Sequence, residues 1–157
     1  MEAPIVELRY SKDSELACDP TYASDGASGM DLHSAEEHVV YPGRWRIIST
    51  GLRFEIPGGY ELQIRPRSGL AAKFGVTILN TPGAIDSDYR GVCKVILFNR
   101  GVVPFNIKPG TRIAQAILQP ISRAKLQLIK KDELSQTGRG EGGFGSTGLG
   151  RTESEQM

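Results

Sequence analysis

Cysteine and histidine are scarce in this 157-residue chain, which holds two of each. Cys18 and Cys93 have no CxxC spacing, and His33 and His38 supply no matching pair, so no zinc signature can be assembled. The thiols read as reduced and incidental. Net charge is nearly absent too: 19 Lys and Arg against 18 Asp and Glu leave +1. Without a strong field of one sign, the chain is not expected to bind nucleic acid or a membrane surface. An anionic ligand would have to be held by local arginines and backbone amides. No apolar run approaches about 18 residues, which excludes a membrane-spanning helix. The start, "MEAPIVELRY", lacks a basic region followed by an apolar run, so no signal peptide is expected and the cytoplasm is the default location. Helical periodicity is nearly absent, and there is no internal repeat.

What is present is glycine, at 19 residues against an average near 7%. Apolar content of 39% and charged content of 24% are ordinary for one globular domain with a real core. Four Pro-Gly pairs punctuate the chain, at Pro42-Gly43, Pro57-Gly58, Pro82-Gly83 and Pro109-Gly110. In each, proline presets φ for the first corner of a turn and glycine accepts positive φ at the second. Between them lie short β-like runs. "LRFEI" and "YELQI" alternate, which places Leu52, Phe54 and Ile56, then Tyr60, Leu62 and Ile64, on one face. "KVILF" reads as a strand buried on both sides, and "RIAQAIL" and "LQLI" complete the set. Such spacing indicates an all-β sandwich or barrel. The one short helix expected is "SGLAAKFG", with Ser68 as cap and Gly75 as stop. From about Asp132 the β pattern ends, which divides the chain into a core over 1–131 and a flexible glycine-rich arm over 132–157.

Several stretches carry potential chemistry. In "RPRSGLA", Arg67, Ser68 and Gly69 fall where a strand ends and the helix begins. Unpaired amides and a guanidinium there suit an anion, although a capped turn with solvated arginines is equally compatible. "NTPGAIDSDYRG" offers Asn80, whose amide can both donate and accept at the edge of a base. If the segment is extended, Asp86 and Asp88 share a face, and a carboxylate there can act as general base on water. Taken alone, these residues are also ordinary turn formers. "GASGMDLHS" places Asp31 after a turn. "KPGTRIAQ" contributes Arg112 and Gln115, which a regular strand would point to opposite faces.

The stretch "GRGEGGFGSTGLG", 138–150, matches G-x-G-x-x-G three times, from Gly138, Gly140 and Gly143. A dinucleotide turn needs a following helix and a later acidic residue, and a Walker loop needs Gly-Lys-Ser/Thr; neither context is present. Arg139, Phe144 and Ser146 stand among the glycines, and an aromatic beside an arginine can stack on a base while amides take up phosphate.

Read in order, "ASGMDLHSA", "RPRSGLA", "NTPGAIDSDYRG", "KPGTRIAQ" and "RGEGGFGSTG" resemble the five motifs of the trimeric dUTPase family, from residue 27 to 148. The resemblance implies a jelly-roll β fold, a homotrimer with active sites shared between subunits, and Mg²⁺-dependent hydrolysis of dUTP to dUMP and pyrophosphate. That reaction keeps uracil out of DNA and supplies dUMP for thymidylate synthesis. By the same resemblance, Asp86 is the general base and Tyr89 packs beneath the deoxyribose. Asn80, with backbone groups of Ala84, Ile85 and Lys94, reads uracil. Arg67, Ser68 and Gly69 hold phosphates, while Asp31 and Gln115 orient the site, Asp31 through water around the metal. Arg139 and Ser146 contact the γ-phosphate while Phe144 stacks on uracil, and Gly145 belongs to the same substrate-binding set. The related dCTP deaminases share the fold but carry an "RSS"-type stretch, whereas this chain has "PRSG" and the Gly-Phe-Gly arm. A nucleotide-sensing module could have dispensed with Asp86, which is present here. Cys93 stands where an aliphatic residue is expected.

Overall fold

The computed structural model describes residues 4–146. Met1 to Ala3 and the end of the glycine-rich stretch, 147–150, lie outside the described residues. The chain divides into two compact units, Met1–Ser122 and Arg123–Met157.

Among the described residues, the first unit contains twelve strands and one helix: β1 Arg9–Lys12, β2 Thr21–Tyr22, β3 Met30–His33, β4 His38–Val40, β5 Trp45–Ser49, β6 Leu52–Glu55, β7 Tyr60–Arg65, α1 Ser68–Phe74, β8 Val76–Ile78, β9 Gly83–Ile85, β10 Lys94–Asn99, β11 Phe105–Ile107 and β12 Arg112–Pro120. They pair in the orders β2-β3-β12-β7-β9, β5-β10-β8, β11-β4 and β1-β6. The pairings are antiparallel and mostly non-sequential, as a jelly roll requires. The core is the set of inward alternates. Leu52, Phe54, Ile56, Leu62 and Ile64 are buried as their spacing predicts, with Tyr60 packed at the edge. Asn99 is fully buried but satisfied: its amide donates to the Val40 and Val103 carbonyls and its oxygen accepts from Gly101 N–H. Leaving those groups unpaired would cost about 1–3 kcal/mol each, so Asn99 ties the end of β4 and the loop after β10 to the core.

Four expectations change. β10 is not covered on both faces. Val95 and Leu97 are buried, but Ile96 and Phe98 face outward and pair with Ile47 and Trp45, which are 49% and 50% exposed. Among the described residues of this unit, Trp45 and Ile47 leave that face half open. "LQLI" forms no strand: Leu126 and Leu128 are 93% and 100% exposed, because an alternating run needs a ladder partner and finds none among the described residues of its own unit. Ser68 is the first helical residue rather than the cap, which is Arg67 in extended conformation with no side-chain capping bond. Finally, Gly43 and Gly110 take the positive φ of their turns, but Gly58 and Gly83 do not: after Pro57 it is Gly59 that takes it, at φ 84°, and Gly83 opens β9, paired with Ile64.

The second unit has little regular structure: a 3-10 turn at Lys131–Glu133, then a series of tight turns.

Candidate active site

Two clusters emerge in the first unit. The first lies where β3, β12 and the end of β7 meet. Asp31 pairs with Gln115 across β3 and β12, and Gln115 pairs with Arg65 on the other side. The register shifts between Arg112 and Ala114, a β-bulge. Arg112 therefore opposes His33 while Gln115 opposes Asp31, and both point to one face despite their odd spacing. A regular strand would have separated them. The bulge is set by pairing with β3, and nothing in the local spacing signals it.

On that face the Asp31 carboxylate, 13% exposed, accepts from Arg67 Nε at 3.0 Å and from Arg112 at 3.3 Å. Two guanidinium groups against one carboxylate leave a local surplus of positive charge, suited to an anion. Arg67 engages only Nε in hydrogen bonding among the described residues, which leaves its terminal nitrogens for other partners. Its neighbours Ser68 and Gly69 are exposed at the start of α1. Gln115 donates to the Pro66 carbonyl at 2.9 Å and so links β12 to the turn that carries Arg67. A Cβ on Gly29 would come 2.8 Å from the Gln115 amide oxygen, so glycine there makes room for that side chain. Burial lowers the pKa of His33 from its ordinary value, and Arg112 and Arg67 push the same way against Asp31. Arg112 and His33 are thus brought to a cluster in which the motifs had assigned only Asp31, Arg67 and Gln115.

The second cluster is a cavity of about 210 Å³ lined by Ala84, Ile85, Asp86, Tyr89, Val92, Cys93 and Lys94. Five of these were singled out from the sequence. The volume is below the roughly 300–1,000 Å³ of drug-sized pockets and suits one small ring. Extended backbone stops at Ile85. Tyr89 N–H then donates to the Asp86 carbonyl at 3.1 Å, so 86–89 is a turn and the shared-face reading of Asp86 and Asp88 does not hold. The turn exposes Asp86 at the cavity edge. Tyr89 donates to the Val92 carbonyl at 3.2 Å, which folds its ring over Gly91. Asn80 is exposed, and its amide nitrogen lies 3.3 Å from where a Gly83 Cβ would stand. Cys93 is buried at the cavity wall, and its thiol is pushed up to about 12 by burial.

The clusters do not meet on one chain. β7 connects them: Arg65 pairs with Gln115, while Leu62 pairs with Ile85, the last strand residue before Asp86. From Leu62 to Arg65 is about 10 Å along the strand, and two strand spacings of about 4.8 Å separate β12 from β9. Asp86 and Gln115 are therefore too far apart to hold one phosphate. In the second unit, Arg139 Nε donates to the Gly142 carbonyl at 2.7 Å, and Gly142 N–H returns a bond to Arg139. Phe144 is fully exposed at φ 50°, followed by Gly145 at φ 91°, and Ser146 N–H donates to Gly143.

A jelly roll with an acidic, aromatic-walled cavity and an Arg-Ser-Gly helix start defines an all-β hydrolase. The chain belongs to the dUTPase family, which it matches over residues 16–148. It is 53% identical over 143 residues to the deoxyuridine 5'-triphosphate nucleotidohydrolase of Nautilia profundicola, covering 91% of this chain and 99% of that one. It is 51% identical to the Brucella melitensis biotype 2 protein of the same name, covering 92% and 91%. Among solved structures, the dUTPase of Staphylococcus bacteriophage 80alpha with dUPNHPP superposes with a TM-score of 0.84 at 28% identity, covering 91% and 99%.

Proposed function

We propose that this chain hydrolyses dUTP to dUMP and pyrophosphate, with Asp86 as general base. The observation that carries the reading is the small cavity in which Asp86, Tyr89 and the Ala84–Ile85 backbone meet. Uracil would enter against β9 and Asn80, where paired polar groups discriminate strongly because a wrong base leaves them unsatisfied. Tyr89 would pack beneath the deoxyribose and leave no space for a 2′-hydroxyl. Asp86 would take a proton from water as the water oxygen bonds to the α-phosphorus. The bond from that phosphorus to the bridging oxygen then breaks, and pyrophosphate leaves. Arg67, with the amides of Ser68 and Gly69, would hold the phosphates, and Gln115 would fix the turn carrying Arg67. Such catalysis rests on positioning and charge stabilisation.

The donor set fits Mg²⁺ of a particular kind. Among the described residues no three His, Cys, Asp or Glu side chains form a cage, and Asp31 is the one carboxylate in the phosphate cluster. Magnesium retains several waters and takes phosphate oxygens as ligands, so Asp31 acting through water is sufficient. When bound, the ion supplies charge neutralisation for the leaving pyrophosphate.

The working enzyme would be a homotrimer. Asp86 and Gln115 lie too far apart to hold one phosphate within a chain, and a second copy would complete each site. The outward apolar residues Trp45, Ile47, Ile96 and Phe98 offer a surface for that contact. The arm from residue 132, bearing Arg139, Phe144, Gly145 and Ser146, would close over the triphosphate and exclude water. No described helix is long and apolar enough to cross a membrane, and the free thiols of Cys18 and Cys93 suit the reducing cytoplasm as its place of action. The test is pyrophosphate release with Mg²⁺ and each dNTP plus UTP. Release from dUTP alone supports the reading, and equal release from dCTP or UTP overturns it.

A further inference from the structure

The loop between β9 and β10 carries both Asp86 and Tyr89, and its anchoring is uneven. At its far end Cys93 is stitched to the core by backbone: Cys93 N–H donates to the Leu52 carbonyl at 2.7 Å, and Thr50 N–H donates to the Cys93 carbonyl at 3.1 Å. At its near end Ile85 is held in the β7–β9 ladder. Between these anchors, the loop's own bonds are local. Arg90 folds back onto the carbonyls of Ser87 and Tyr89, at 2.7 and 3.0 Å. Those bonds shape the turn but do not fix it to the domain. Among the described residues, one hydrogen bond reaches 86–92 from outside the loop: Arg53 on β6 donates to the Arg90 carbonyl at 2.9 Å.

Arg53 is itself oriented. Its Nε donates to Asp13 at 2.9 Å, while Asp13 N–H donates to the Gly51 carbonyl at 2.7 Å, which fixes the acid beside β6. The hydrogen bond from Arg53 holds the Asp13 carboxyl below its ordinary pKa. A guanidinium presents donors in a rigid fork, so one group can hold a carboxylate and a carbonyl together; a lysine ammonium on a flexible stem cannot reproduce that geometry. The pair is about two-fifths exposed, so its ionic contribution to stability is small. Its effect lies in geometry. A loop free to shift by about 1 Å would misplace a catalytic group at a cost of up to about 10²-fold in rate.

We propose that Arg53, oriented by Asp13, is a positioning residue for the reaction: it clamps the Asp86–Gly91 turn so that base and sugar-packing ring keep one geometry. This rests on the roles proposed above for Asp86 and Tyr89. The sequence motifs contain neither Arg53 nor Asp13, which lie far from the loop along the chain and meet it only through folding.

The test compares Arg53→Met, Arg53→Lys and Asp13→Asn in the full chain, measuring kcat and KM for dUTP and UTP together with thermal midpoints. Arg53→Met is expected to lower kcat on dUTP about tenfold and to narrow the dUTP-to-UTP preference about fivefold. Arg53→Lys and Asp13→Asn should fall between it and the wild type. In the double variant Asp13→Asn/Arg53→Met, the losses should be less than additive, since one clamp is removed twice. A lowered midpoint with unchanged kcat and an unchanged preference in Arg53→Met would make the contact structural only and overturn the proposal. Should Arg53→Met fail to fold, wild-type kcat and preference in both Asp13→Asn and Arg53→Lys would overturn it equally. Asp86→Asn, assayed alongside, separates the two readings: an active Asp86→Asn overturns the assignment of the base, whereas an inactive one beside an unaffected Arg53→Met overturns only the clamp.

Discussion

The Tyr89 ring lies so close over the α-carbon of Gly91 that a Cβ at 91 would collide with the phenol. The hydroxyl is tied at the same time to the Val92 carbonyl. Gly91 therefore acts through Tyr89. Gly91→Ala should lift the ring from the cavity wall and narrow the preference for dUTP over UTP by about 10-fold, equivalent to about 1.4 kcal/mol of discrimination. Tyr89→Ala should do the same without the clash. Competition kinetics with both nucleotides measure the ratio, and an unchanged ratio in both variants would refute the sugar-packing role.

Asp86→Asn keeps the size of the side chain but removes its capacity to accept a proton. Turnover should fall at least about 10²–10⁴-fold, the usual contribution of general base catalysis, while nucleotide affinity stays within about threefold. Steady-state rates and calorimetric titration with a non-hydrolysable dUTP analogue check both halves.

Ile96 occupies the outward face of β10 opposite Ile47, which is half exposed. Ile96→Asp would place a charge within the proposed subunit contact, where exclusion of water makes it costly. On the proposed trimer, in which each site draws on two chains, the variant should sediment as a monomer and lose activity in parallel. A trimer of normal activity would show that this face is not the contact.

Cys93 links pH to stability. Burial raises its pKa from 9.0 to about 12. Below pH 9 the thiol is protonated in both states and its contribution is fully present. Between 9 and 12 the unfolded chain releases the proton while the folded chain retains it, so stability falls by about 1.4 kcal/mol per pH unit. Urea unfolding between pH 8 and 11 should show a shallower decline in Cys93→Val than in the wild type. Parallel declines would mean that burial does not govern this thiol.

Much of the first unit follows from local pattern. The alternation of Leu52, Phe54 and Ile56 and of Leu62 and Ile64 is a period-two signal that neighbouring residues carry by themselves, and it is buried as spaced. The same holds for α1, where Gly75 adopts the left-handed conformation that ends a helix. The motif segments were likewise readable, because a wall of the cavity is one short stretch from Ala84 to Lys94.

What the sequence by itself determined, then, was strand and turn chemistry and the residue types of the site, since these depend on neighbours a few positions apart. Only the tertiary structure decided which residues meet. The bulge beside Arg112, the distance between Asp86 and Gln115 along β7, the open face of β10 and the reach of Arg53 to Arg90 all arise from pairings between distant segments. Register between strands is a collective choice of the whole sheet, and a one-residue shift reverses every side chain, so no local window contains it.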